Sequence, residues 1–306
     1  MQKETDMPLR SFLIPMFLLA ATTLVAVSNP VYGQRGRGKD VEEIELTTKD
    51  NVIIKANYYH GSGSKDTVPI IAVHGEGGQR SDLDMLAKAL QAEGHAVIVP
   101  DLRGHGDSTN VQGQDDTKLD HNKMRPADFA AAALDLEACK KYFKELNNDQ
   151  KVNIENLTLV GTGELGSLLS FAYAGEDWLV PPFGRFKQGQ DVKAVVMFTP
   201  AQRVKTIRAA GYLDDQSVRR EISFFLIVND RDASAKRNAT RLEDALQRAS
   251  ANRDDKERIA RLDVPTTLKG AKILEVQEAD EILRRINLFI KLRVSDKNNE
   301  WNERSR

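Results

Sequence analysis

The chain has 306 residues, 41% of them apolar and 29% charged. That is enough to bury the core of one large α/β domain or two small ones, and it excludes a collagen-like or wholly disordered chain. Its 44 basic and 45 acidic side chains leave a net charge of −1, so there is no basic surplus of the kind that binds nucleic acid. The single cysteine, Cys139, excludes an intrachain disulfide and a cysteine-rich metal site.

The N-terminal residues have the order of a secretory signal. Lys3 and Arg10 supply positive charge, Ser11 to Val27 form an apolar run, and Val31-Tyr32-Gly33 ends in a small residue at the expected cut. The sequence therefore predicts a signal peptide over 1–33 and a basic linker over 34–40. The alternative is an uncleaved anchor, which Pro15 and the short run disfavour. Either way the globular part is expected to be exported, in the periplasm or outside the cell, and membrane contact is expected only through the N-terminal segment if it stays uncleaved.

From Val41 onward strand and helix patterns alternate. Val41–Thr48 and Val52–Tyr59 read as two strands around Lys49-Asp50-Asn51. Thr67–Val73 and His95–Leu102 are continuous apolar runs, the pattern of strands covered on both faces. Between them, Leu83, Leu86, Ala87 and Leu90 form a helical stripe that begins near Ser81 and stops at Gly94. Pro126 is expected to open a helix that runs through Leu146. Further strands are expected at Leu157–Val160, Val192–Phe198 and Ile222–Val228. Helices are expected at Gly166–Ala174, Ala233–Ala249 and Ala279–Leu292. Glu176–Asp191 is the candidate lid or irregular insertion, Arg203–Arg220 the candidate helical cap, and 294–306 a polar, fraying tail. The alternation implies one domain over 41–293, a mostly parallel sheet with helices on both faces.

Three motifs fall in order along this pattern. Val73-His74-Gly75-Glu76-Gly77-Gly78 follows a buried strand. Pro100-Asp101-Leu102-Arg103-Gly104-His105-Gly106-Asp107-Ser108 follows the next one. Leu159-Val160-Gly161-Thr162-Gly163-Glu164-Leu165-Gly166 runs from a strand directly into a helix. With these motifs the chain resembles the α/β-hydrolase superfamily over nearly all of residues 41–293, with a small or minimal cap. The resemblance implies a nucleophile on a sharp strand-to-helix elbow of the form Gly-x-nucleophile-x-Gly. It also implies a histidine base after the last strand, an acid after the preceding one, and two backbone N–H groups that hold an oxyanion.

This sequence departs from that pattern at the reacting groups. The elbow register places Gly163 at the nucleophile position, and Leu165 stands where the second glycine is expected. A glycine satisfies the strained turn but has nothing with which to attack. Thr162 would serve only after a one-residue slip, and Ser167, a turn into the helix, reads as a packing residue. Cys139 reads as a buried structural thiol. All five histidines lie at or before His121, and Leu268–Leu274, the segment matching the base loop, contains none. His74 in this pattern braces the oxyanion loop, and His105 and His121 are candidates to reach the cleft. The acid position falls at Asp232, with Asp230 as rival, and Asp232 equally reads as an N-cap for the following helix. The two oxyanion-type backbone positions carry Glu76 and Glu164. Three carboxylates without metal-ligand spacing do not make a metal site. No cofactor is expected.

Three functional readings follow from the residues. The leading one is an exported, catalytically inactive member of this superfamily that binds a small-molecule ligand or a protein partner. The second is an active esterase-type acyl hydrolase using Thr162, Ser108 or Ser167 beside His105 or His121. The third is a structural, envelope-associated module whose cleft is filled by Glu176–Asp191.

Overall fold

The computed structural model describes residues 41–181, 187–213, 215, 218, 220–249 and 257–304. The expected signal peptide and linker lie outside the described residues. Strands β1 (Val41–Thr47) and β2 (Val52–Tyr59) form an antiparallel pair, closed by a turn in which Asn51 takes φ +64°. Then come β3 (Pro69–Val73), α1 (Asp84–Ala92), β4 (Ala96–Pro100), the short strands β5 (Asn110–Val111) and β6 (Gln114–Lys118), and α2 (Ala133–Asn148). The second half contains β7 (Leu157–Thr162), α3 (Gly163–Leu179), β8 (Val192–Phe198), the hairpin β9 (Arg203–Val204) and β10 (Ile207–Arg208), and the single turn α4 (Ala210–Leu213). It ends with β11 (Ser223–Asn229), α5 (Ala233–Ala249), β12 (Ile259–Val264) and α6 (Ala279–Arg293).

Among the described residues, ten strands form one sheet in the order β12-β11-β8-β7-β3-β4-β2-β5-β6, with β1 paired to β2. Every pairing from β12 to β4 is parallel, and those beyond β4 are antiparallel. Alternate residues of the parallel strands feed two separate cores. Ile71, Val73, Phe224 and Leu226 pack with α2, α3 and α5, whereas Ile70, Ala72, Phe225 and Ile227 pack with α1 and α6. On α6 the apolar positions Ile282, Ile286, Phe289 and Ile290 are all buried, each worth about 2 kcal/mol relative to exposure.

This topology positions the site. From β3 the chain moves to β4 on one side, then crosses back to place β7 on the other side of β3. The loops leaving the carboxyl ends of β3 and β7 therefore diverge and open a crevice there, the place where open α/β sheets bind ligands.

Four sequence expectations need correction. Pro126 does not open the long helix: the segment after it is a series of turns, and α2 begins at Ala133. The Arg203–Arg220 region is not helical throughout: it starts with a two-stranded hairpin, ahead of helical residues at 210–213, 218 and 220. Glu176–Leu179 completes α3, and Asp177 and Asp191 are buried against Lys140, so both described ends of this stretch are tied into the body. The tail is docked and not frayed as far as Arg304, which is buried. Strand β12 was absent from the sequence pattern, because its side chains are mostly half-exposed and alternate weakly.

Candidate functional site

The turn after β4 shows why the Asp-Leu-Arg-Gly-His-Gly-Asp-Ser string is a scaffold element. Asp101 is buried and accepts hydrogen bonds from the backbone N–H of Arg80 (2.6 Å) and Asp107 (2.9 Å), and it pairs with the Arg80 guanidinium. A Cβ on Gly106 would lie 2.3 Å from the Asp101 carboxylate, so only glycine fits there. Arg103 is held by buried Asp135 (2.8 Å) and by Asp50 (2.7 Å). Ser108 accepts a hydrogen bond from the Lys55 N–H at 2.8 Å. These contacts lock the antiparallel strands to the parallel sheet, and Ser108 is wholly buried and committed to them.

The elbow follows β7. Gly163 takes φ +67° and starts α3, a backbone conformation that costs other L-residues roughly 1–2 kcal/mol. The Thr162 hydroxyl, buried, turns away and donates to the Val73 carbonyl at 3.1 Å. Ser167 donates to the carbonyls of Gly161 (3.0 Å) and Phe198 (2.7 Å). The three hydroxyls that the esterase reading would use, on Ser108, Thr162 and Ser167, thus bond to main chain and to no histidine. Cys139 is wholly buried in the α2 core, where burial pushes its thiol pKa far up.

Around Gly163 the backbone is bare. A Cβ added to Gly163 would meet only the Gly75 Cα, at 3.2 Å, and a Cβ on Gly270 would lie 2.9 Å from the Gly163 nitrogen. Gly75, Gly163 and Gly270 therefore pack backbone to backbone. Thr199 holds this arrangement in place: its hydroxyl accepts from the Gly270 N–H at 3.1 Å and donates to the Asn229 side-chain oxygen at 3.1 Å. Thr199 is buried with φ +55°, an outlier for a β-branched residue, so its conformation is imposed by these neighbours. No sequence motif marks it.

Asp232 sits just past β11. It accepts backbone hydrogen bonds from Ser234 (2.9 Å) and Ala235 (3.1 Å), capping α5, and it also pairs with the Lys269 ammonium at 2.9 Å. The lysine hydrogen bond, followed by the backbone donors, holds the Asp232 carboxyl down to about 2, and Asp232 in turn raises Lys269. Asp230 lies apart, 3.7 Å from Lys236. Lys269 thus occupies the segment in which the α/β-hydrolase resemblance implies a histidine, and it pairs with Asp232 at the implied acid position. Sequence reading registered the missing imidazole there but not this pairing, which joins residues distant along the chain.

The histidines are placed as follows. His74 is buried with both nitrogens engaged: Nδ1 lies 2.7 Å from the Gly75 carbonyl, and Nε2 accepts from the Leu102 N–H at 3.0 Å. That pattern fixes a neutral ring with its proton on Nδ1, and burial lowers its pKa. His105 bonds the Arg103 carbonyl at 3.1 Å through Nδ1, and its buried Nε2 has no partner among the described residues. Burial drives its pKa down to about 4. His105 stacks on His121 with ring centroids 4.3 Å apart, and His121 Nδ1 lies 3.3 Å from the Gly104 carbonyl. His74 and Thr162 line the cleft, whereas His105 and His121 do not. Among the described residues no group of His, Cys, Asp and Glu is arranged to hold a metal ion.

The cleft itself has a volume of about 710 Å³. Its floor contains Gly75, Gly163 and Gly270, and Met85, Leu86 and Leu274 give it an apolar wall. Glu76 and Glu164 both line it with exposed side chains. Glu76 pairs with Lys205 of the β9–β10 turn at 2.8 Å. No described residue of Glu176–Asp191 lines it. The arrangement can hold a ligand against exposed backbone between charged rims, and among the described residues that line it no hydroxyl or thiol is hydrogen-bonded to a histidine.

A parallel sheet covered on both faces, a strand-to-helix elbow and a crevice at the topological switch define the α/β-hydrolase class. The chain matches the family model for the alpha/beta hydrolase fold over residues 68–267 and belongs to that family. It is similar in structure to an esterase of Pyrococcus furiosus, with 18% identity and a TM-score of 0.59 over 83% of this chain and 91% of that one. A dienelactone hydrolase from Anabaena variabilis gives 16% identity and a TM-score of 0.58 over 83% and 99%. An esterase of Pyrobaculum calidifontis gives 14% and 0.56 over 82% and 84%. At these identities the likeness concerns the fold. No curated protein matches the sequence.

Proposed function

We propose that this is an exported α/β-hydrolase-fold protein without hydrolytic activity, which uses its crevice to bind a small-molecule ligand or a protein partner. One observation carries the reading. At the elbow tip stands Gly163, and the acid Asp232 is engaged by Lys269 and not by a histidine. A serine-type mechanism needs a hydroxyl and a proton carrier titrating near neutrality, and a lysine held charged by a carboxylate cannot accept that proton. The open crevice supports retention of binding after loss of chemistry. Export rests on the order of charge, apolar run and small residue in 1–33.

Steady-state hydrolysis tests the inactivity. The purified chain should hydrolyse p-nitrophenyl acetate no faster than the same chain carrying Glu164→Gln and Lys269→Met together. A rate well above that of the double variant would identify working catalytic groups in the crevice.

A further inference from the structure

At the opposite end of the sheet from the crevice, the chain's C-terminal residues lie in a groove built to read main chain. Four asparagines from the end of α2 and the segment before β7 line it. Asn147 donates its side-chain amide to the Asn302 carbonyl at 2.9 Å, and Asn153 donates to the Asn299 carbonyl at 2.8 Å. Asn148 both donates to the Arg304 carbonyl (3.1 Å) and accepts from the Arg304 N–H (2.9 Å). Asn156 accepts from the Asn299 side chain at 2.8 Å. Residues 299–304 form no helix or strand. Their backbone is thus held by side-chain amides of the body, as a peptide ligand is held by a receptor.

Two side chains of the segment add selectivity. Trp301 donates its indole N–H to the Asn147 carbonyl at 3.2 Å, with the Lys65 ammonium 4.0 Å above its ring. Arg304 is the deeper anchor. Its guanidinium is buried, pairs with Glu155 and Asp191, and donates to the Lys187 carbonyl at 3.1 Å. Asp191 is shared with Lys140 at 2.8 Å, and Lys187 also reaches Glu155 and Asp191. One terminal nitrogen of the guanidinium thus meets both carboxylates while the other donates to the Lys187 carbonyl, a two-nitrogen contact that a lysine ammonium reproduces only in part.

The connection to the body is slight. Between α6 and the docked segment run Ser295–Lys297, a single turn, and Asn298, an exposed residue with φ +50°. Asp296, Lys297 and Asn298 are all exposed.

We propose that residues 299–304 are the resident ligand of a peptide-binding groove, an arginine-reading site that this segment of the chain occupies and can vacate. The groove takes an extended peptide bearing an arginine, with an aromatic residue three positions before it. This site is independent of the crevice and of whether the crevice is catalytic.

The test uses the folded full chain with a specific protease site introduced at Asp296–Asn298, cut after purification. The severed strap should stay bound and co-elute with the body. It should then be displaced by an excess of labelled peptide Asn-Glu-Trp-Asn-Glu-Arg-Ser-Arg, the sequence of residues 299–306. The same peptide carrying Arg304→Gln should compete at least tenfold less well, and Arg304→Lys should fall between the two. Loss of the strap from a still-folded body at micromolar concentration would overturn the proposal, as would equal competition by the glutamine peptide. Unfolding of the body once the strap leaves would also overturn it, by making the strap part of the core.

Discussion

The Lys269 ammonium lies 2.9 Å from the Asp232 carboxylate, which at the same time caps α5 through the N–H groups of Ser234 and Ala235. The acid therefore has two separable jobs. Lys269→Ala removes only an exposed ion pair and should change stability by less than about 1 kcal/mol. Asp232→Ala removes the cap as well and should cost about 1 kcal/mol more. Urea unfolding of both variants measures the difference. Equal effects would mean that the cap contributes nothing.

Restoring the hydroxyl alone should not restore chemistry. Gly163→Ser introduces a Cβ 3.2 Å from the Gly75 Cα at φ +67°, so it should destabilise by roughly 1–2 kcal/mol. Because Lys269 and not histidine faces Asp232, the variant should hydrolyse p-nitrophenyl acetate at the rate of the unmodified chain. A burst of acylation in stopped flow would show that a base is already present.

Gly270 should be far less replaceable than a glycine in open space. Its Cβ would meet the Gly163 nitrogen at 2.9 Å with φ +57°, whereas Gly113, with φ +77°, has nothing within 4 Å. Gly113→Ala carries backbone strain only, about 1 kcal/mol, while Gly270→Ala adds a clash of the new Cβ with the Gly163 main chain and should cost roughly 2–4 kcal/mol. Denaturant midpoints at constant m-value report this.

Stability should fall in mild acid because of buried neutral histidines. Burial holds His105 and His95 each down to about 4, against an ordinary value near 6.5. The unfolded chain takes up these protons first, so their contribution is complete above pH 6.5 and is lost as pH falls from 6.5 toward 4. Each contributes up to about 3 kcal/mol in that window. Asp232, held at about 2, acts in a different window: its contribution is present above pH 3.8 and is lost as pH falls toward 2. Thermal melts from pH 7 to 4.5 should show a falling Tm, with a shallower slope in His105→Asn. An unchanged slope would place the linked protons elsewhere.

Much of the fold was legible because its signals are local. Ile70–Val73 and Val97–Val99 are buried on both faces and read as unbroken apolar runs, and the stripe Leu83, Leu86, Leu90 covers one core. Strand β12 escaped because it is an edge strand whose Arg261 and Asp263 pair with each other at 2.7 Å. The docking of residues 299–304 escaped because asparagine amides bonding to carbonyls leave no apolar period to detect. At the site, the strand register alone located Gly163. Its neighbours Thr199, Lys269 and Gly270 gather there through long-range contacts that no spacing encodes.

Fluorophosphonate labelling of the purified chain lacking residues 1–33 tests the central claim most directly. It asks whether any hydroxyl in the molecule is activated for attack. With Gly163 at the elbow and the hydroxyls of Ser108, Thr162 and Ser167 committed to the main chain, intact-mass measurement should show no covalent adduct. Stoichiometric labelling that disappears on mutation of a single serine or threonine would contradict the account.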